Sequence, residues 1–138
     1  MSDKASGAIR IVAAVVLDAR GRILLVRKRG AESFMQPGRK LEPHGTPIEA
    51  LQRELVEELG ARFGPGSAVF LGRFHAPAAN EPGHCVDALL YEAALDGPIA
   101  AAAEIEEFAW VDLRETIGVK LAPLTRDAIF PLMASRRK

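Results

Sequence analysis

The chain reads as a mixed α+β fold, a β-sheet sandwiched between helices. Two observations carry that reading: stretches rich in β-branched residues lie on both sides of one strongly marked helix, and they group as hairpins instead of alternating regularly with helices. A length of 138 residues with 49% hydrophobic content supplies one real core and not two. The expected organisation is a flexible polar lead over residues 1–7, a domain over 8–134 and a basic tail over 135–138.

The first elements are a strand in AIRIVAAVVLD (8–18), a turn at DARG and a second strand in RILLVRKR (22–29), together a hairpin. Residues 32–45, ESFMQPGRKLEPHG, hold two prolines and two glycines and read as a structured loop without a regular element. A helix follows over 47–59. Thr46 is its N-cap, Pro47 suits the first helical position, Glu49 completes a capping box, and Gly60 takes the left-handed closing conformation. After the glycine and proline break ARFGPGSA, the segments VFLGRFHA (69–76) and CVDALLYEAAL (85–95) form a second hairpin across the loop PAANEPGH. A short strand around 108–111 and a final helix disturbed by Pro131 complete the chain.

Composition excludes several roles. Lysine plus arginine equal aspartate plus glutamate at 18 each, so no net field recruits a nucleic acid polymer or a membrane surface. Cys85 is the only cysteine, which rules out an internal disulfide and suits a reducing compartment. The start lacks the apolar core of a signal peptide and no segment nears a membrane span, so a soluble, cytoplasmic protein is expected.

The helix carries the chemistry. At about 100° per residue, Ile48, Leu51, Leu55 and Leu59 form one apolar stripe, and Glu54, Glu57 and Glu58 an adjoining arc with Glu58 at the apolar edge. Like charges three and four residues apart repel, by roughly 0.2–0.5 kcal/mol per pair in water. The arc is either a solvated acidic face or a set of hard oxygen donors for Mg²⁺ or Mn²⁺, which bridge to phosphate. Zinc would want histidine or cysteine, and none is spaced for it.

The stretch PGRKLEPHGTPIEALQRELVEELGA resembles the box of the Nudix hydrolases: a glycine, five residues, a glutamate, seven residues, then Arg-Glu-apolar-x-Glu-Glu-x-Gly-apolar. Arg53, Glu54, Leu55, Glu57, Glu58, Gly60 and Ala61 match the second half, whereas Arg39 replaces the box glycine and Gly45 the first box glutamate. Aligning on Gly38 instead leaves one residue too many and puts His44 at the glutamate position. EFAWVDL resembles the family's tryptophan-containing strand.

The resemblance implies a Nudix fold and metal-dependent hydrolysis of a diphosphate bond in a nucleoside diphosphate linked to another group. It makes Glu54, Glu57 and Glu58 ligands of Mg²⁺ or Mn²⁺, with the Arg39 carbonyl able to reach the metal. Glu57, Glu54 and Arg53 become catalytic residues, Arg53 by orienting the glutamates. Glu104, Glu106 and Glu107 are further candidates for the base. For substrate, Arg27 and Arg29 share one side of a strand end and suit a phosphate clamp, with a solvated strand end the equal alternative. Phe34 suits base stacking or the core, Asn80, Glu81 and His84 suit the pocket wall with a plain hairpin loop the favoured alternative, and Glu107 is a further candidate for substrate binding. A nucleotide-type small molecule is the expected partner, and homodimers are common in the family. The competing reading is a nucleotide-binding module of the same fold, its box decayed at Arg39 and Gly45. An isomerase of this fold would resemble the family with a loop cysteine that this chain lacks.

Overall fold

The structure, a computed structural model, describes residues 8–79, 81–114 and 118–136. The expected lead over 1–7 and the last residues of the tail, 137 and 138, lie outside the described residues. A four-stranded mixed sheet has the order β3-β1-β6-β5, formed by Gly38–Lys40, Ala8–Val15, Cys85–Glu92 and Val69–Pro77 respectively. β2 (Ile23–Lys28) pairs antiparallel with β8 (Ile105–Val111), and the short β4 (Arg62–Phe63) with β7 (Leu95–Asp96).

Both faces of the central strands are covered. Val12, Ala14 and Val16 pack with Leu24 and Val26 beneath Leu51, Leu55 and Leu59 of helix α1 (Pro47–Leu59). The alternate residues Ala13, Val15, Ile23 and Leu25 pack with Ile129, Phe130 and Met133 at the C-terminal helix. A strand buried on both sides reads as an unbroken apolar run, which is why 11–17 and 23–26 show no polar alternation. The sandwich of sheet between helices is therefore as expected.

Helix α1 begins and ends on the expected residues. Thr46 Oγ1 accepts from the Glu49 amide at 3.1 Å, the Glu49 carboxylate accepts from the Thr46 amide at 3.1 Å, and Gly60 closes the helix at φ +71°. The second expected hairpin is present as antiparallel β5 and β6.

Three expectations are corrected. β1 and β2 share a turn, with Asp18 N–H donating to Arg22 O and Leu24 N–H to Val16 O, but then part into different sheets. The reason is that β1 is flanked by β3 on one side and by β6, in parallel, on the other, so β2 takes β8. The loop over 32–45 contains the strand β3, antiparallel to β1. Gly38 makes that approach possible, since a Cβ there would lie 2.3 Å from the Val12 carbonyl oxygen. β8 also starts at Ile105, earlier than the stretch around Phe108 to Val111.

The final helix is disturbed just before Pro131. A π-helical turn over Thr125–Ile129, in which Phe130 N–H donates to Thr125 O, precedes α2 (Phe130–Arg136). Proline has no N–H and its ring crowds the carbonyl four residues back, here that of Asp127; a wider turn eases that contact.

Candidate active site

Helix α1 turns two of the three glutamates of its acidic arc inward. Glu54 and Glu58, one turn apart, are 8% and 1% exposed, while Glu57 is exposed. Both carboxyl oxygens of Glu58 are buried without a hydrogen-bond partner. Burial above all, then the Glu54 carboxyl beside it and more weakly Glu104, together push its pKa up to about 9, against the opposing Lys28 ammonium. Two carboxylates can only accept, so a hydrogen bond between these neighbours requires a proton on one of them, and burial favours holding it on Glu58. A fixed cation would remove the need for that proton.

That donor set suits a hard divalent ion. Among the described residues no three of His, Cys, Asp and Glu are gathered as a ready-made cage. Mg²⁺ does not require one, because it keeps several waters and takes one or two carboxylates together with substrate phosphate. Two buried carboxyls, one with no partner, fit this mode.

Among the described residues, a largely apolar cavity carries three cations on its wall and reaches the acids only through Arg39 and Lys28. Its wall includes Lys28, Gln36, Gly38, Arg39, Lys40 and Glu81. Arg39 connects it to the helix: its guanidinium lies 3.6 Å from Glu54 and 2.9 Å from Glu42. Lys28, which acts on Glu58, also lies 3.9 Å from Glu104. Lys40 reaches Glu81 at 3.5 Å. Arg39 and Lys28 thus link the inward carboxyls to the hollow whose wall they share.

The NUDIX domain model matches residues 8–133. The chain belongs to the Nudix family. An RNA pyrophosphohydrolase of Halorhodospira halophila is 39% identical over 61 residues, which are 44% of this chain and 33% of that protein, so the match spans about a third of its length. A MutT protein from Methanosarcina mazei superposes with a TM-score of 0.75 at 21% identity, covering 97% of this chain and 98% of that one. A Nudix hydrolase from Nitrosomonas europaea does so at 0.72 and 25% identity, covering 93% and 90%.

Within this Nudix domain the other expected site residues separate. Arg53 is exposed and lines a surface hollow with Glu57 and Arg62. The arginine that contacts a box glutamate is Arg39. Arg27 and Arg29 pair across to β8, Arg27 with Glu107 at 2.7 Å and Arg29 with Glu106 at 3.4 Å. Phe34 is half-buried on the C-terminal helix side, bridged to Leu121. Glu81 is on the cavity wall, and Asn80 lies outside the described residues.

Sequence reasoning passed over Lys28 and Gln36. Lys28 had a signal: in a strand it shares a face with Val26 and Leu24, which pack toward α1. Counting by twos from that core face selects Lys28 in preference to Arg27 and Arg29. Gln36 had no signal, since a glutamine in a proline and glycine loop is ordinarily solvated.

Proposed function

We propose that this Nudix chain hydrolyses a diphosphate bond in a nucleoside diphosphate derivative, with Mg²⁺ or Mn²⁺ held by Glu54 and Glu58. The observation that carries the reading is the Glu58 carboxyl, 1% exposed, with neither oxygen partnered and with Glu54 beside it. A buried charge without a partner is costly, and coordination converts that cost into a binding site. Glu57, exposed on the same helix, would be the third carboxylate available to the ion. The metal when bound polarises the phosphoryl group and lowers the pKa of a bound water.

The remaining steps belong to the chain. Lys28, Arg39 and Lys40 neutralise the phosphate oxygens and orient the diphosphate across the mouth of the cavity. Glu104 faces Glu58 and Lys28 yet has a side chain 68% exposed, so it accepts the proton of the attacking water and returns it to solvent. Burial of Glu58 and Glu54 excludes competing water from the acids.

A second reading, a nucleotide-binding module with a weakened site, draws on Arg39. Its guanidinium 3.6 Å from Glu54 places a fixed cation where the family has glycine. One experiment separates the two. Purified protein is assayed with Mg²⁺ or Mn²⁺ against nucleotide sugars, ADP-ribose, dinucleoside polyphosphates, oxidised deoxynucleotides and an RNA bearing a 5′ pyrophosphate group. Turnover that Glu58→Gln abolishes supports the enzyme. Nucleotide binding with no turnover on any of these supports the module.

A further inference from the structure

Gln36 is a polar side chain that the acid site leaves unexplained. It is 5% exposed, and its amide nitrogen is buried with no hydrogen-bond partner. Its other amide atom is held: Thr125 Oγ1, in a residue that is 0% exposed, donates to Gln36 Oε1 at 2.7 Å. Turning the amide over would not cure this. The hydroxyl would then accept from Nε2, leaving its own proton without the acceptor it has now and Oε1 as the orphan. A buried donor left unpaired is costly, and native structures seldom keep one without a reason.

The surroundings point to that reason. Gln36 lines two adjoining cavities. One carries Lys28, Arg39 and Lys40 on a wall that is otherwise largely apolar. The other is walled by Pro77, Ala122 and Leu124 together with Thr125, and Ile11, Met35 and Val86 are common to both. The cleft therefore runs from an end that bears these cations to an aliphatic interior, with one unpaired N–H group at the join. A water beside that group would have few other polar atoms to bind. A flat, mostly apolar ring with an acceptor on its edge would match both the walls and the donor.

We propose that Gln36 determines base recognition: its amide N–H donates to a carbonyl oxygen or ring nitrogen of the substrate's nucleobase, while the phosphates lie toward Arg39 and Lys40. Thr125 is a positioning residue that fixes the amide through Oε1. The inference takes the nucleotide class from the proposed function and adds the atom that reads the base.

Binding without metal tests it independently of turnover. The probes are AMP, GMP, CMP and UMP, with ribose 5-phosphate as the base-free control, titrated calorimetrically into the full chain. Wild type should bind at least one of the four about tenfold or more tightly than ribose 5-phosphate, and Gln36→Leu should bring that ratio close to one. Thr125→Val should lower it in the same direction, and Thr125→Ser, which keeps the hydroxyl, should restore it. The double variant Gln36→Leu/Thr125→Val replaces both partners by apolar groups, so it should fold if either single variant does not. An unchanged ratio in Gln36→Leu or in the double variant overturns the inference, as does a wild type that binds ribose 5-phosphate as well as all four nucleotides. Hydrolysis of diphosphates with an unchanged ratio defeats this inference alone. A Gln36-dependent ratio without hydrolysis defeats the enzyme reading alone.

Discussion

Replacing Glu58 by glutamine should make the metal-free protein more stable at neutral and alkaline pH. The side chain keeps its shape and loses its charge. In the folded chain burial, Glu54 and Glu104 raise the Glu58 pKa from 4.5 to about 9. Between those values the unfolded chain has released a proton that the folded chain retains, so stability falls as pH rises, and the fall is complete once pH passes the folded value. At about 1.36 kcal/mol for each pH unit within that window, the change from about pH 5 to about pH 7.5 is at most about 3 kcal/mol. For a domain of this size each kcal/mol moves Tm by about 3 °C, so wild type should lose up to about 10 °C over that interval on account of Glu58. Thermal melts in chelator at several pH values, followed by circular dichroism, measure the difference. Glu58→Gln should show a flatter profile and a higher Tm at the upper pH. Added Mg²⁺ should raise the wild-type Tm, by about 2.7 kcal/mol of stabilisation at one hundred times Kd, and leave the variant nearly unmoved. Parallel pH profiles, or equal shifts with Mg²⁺, would refute the account of Glu58 as a buried acid awaiting a cation.

Three further outcomes follow from the loop before the helix. Arg39→Gly removes the guanidinium 3.6 Å from Glu54 and should tighten Mn²⁺ binding, read by electron paramagnetic resonance of the free ion; an unaltered Kd would show that Arg39 does not compete at the acids. Gly45→Glu, although it restores a residue of the Nudix pattern, should destabilise the chain by about 1–2 kcal/mol in urea melts. Gly45 sits at φ +82°, and an added Cβ would lie 3.2 Å from the Glu49 carboxylate that closes the helix cap; a stabilised variant would contradict this. Gly38→Ala brings a Cβ within 2.3 Å of the Val12 carbonyl and should cost about 2–3 kcal/mol, with a wild-type denaturation midpoint as the result that would disprove the tight β1–β3 approach.

The box matched in its second half and departed at Arg39 and Gly45, and the geometry around Arg39 gives that departure a physical context. Gly38, one residue before Arg39, is the position where the backbone tolerates no side chain. Arg39 follows it on the strand and points its guanidinium at Glu54 and Glu42. Arg27 and Arg29 looked like a phosphate clamp at a strand end, but Arg29 lies in the turn beyond β2, and each is already paired with a carboxylate of β8, Arg27 with Glu107 and Arg29 with Glu106. No pattern within one segment contains its cross-strand partner.

Helix α1 was legible because every determinant is local: Thr46, Pro47, Glu49 and Gly60 lie within one helix length, and Leu51, Leu55 and Leu59 repeat with the helical period. The same wheel placed Glu58 at the apolar edge, where it is buried. The parallel pairing of β1 with β6 joins residues far apart in the chain, as do the passage of Lys28 into the cavity and the 2.7 Å bond between Gln36 and Thr125, 89 residues apart. Capping and periodicity are set by backbone geometry over a few residues, whereas strand partners, the pairing of distant charges and the cleft that Gln36 lines are set by which surfaces the whole chain must bury at once.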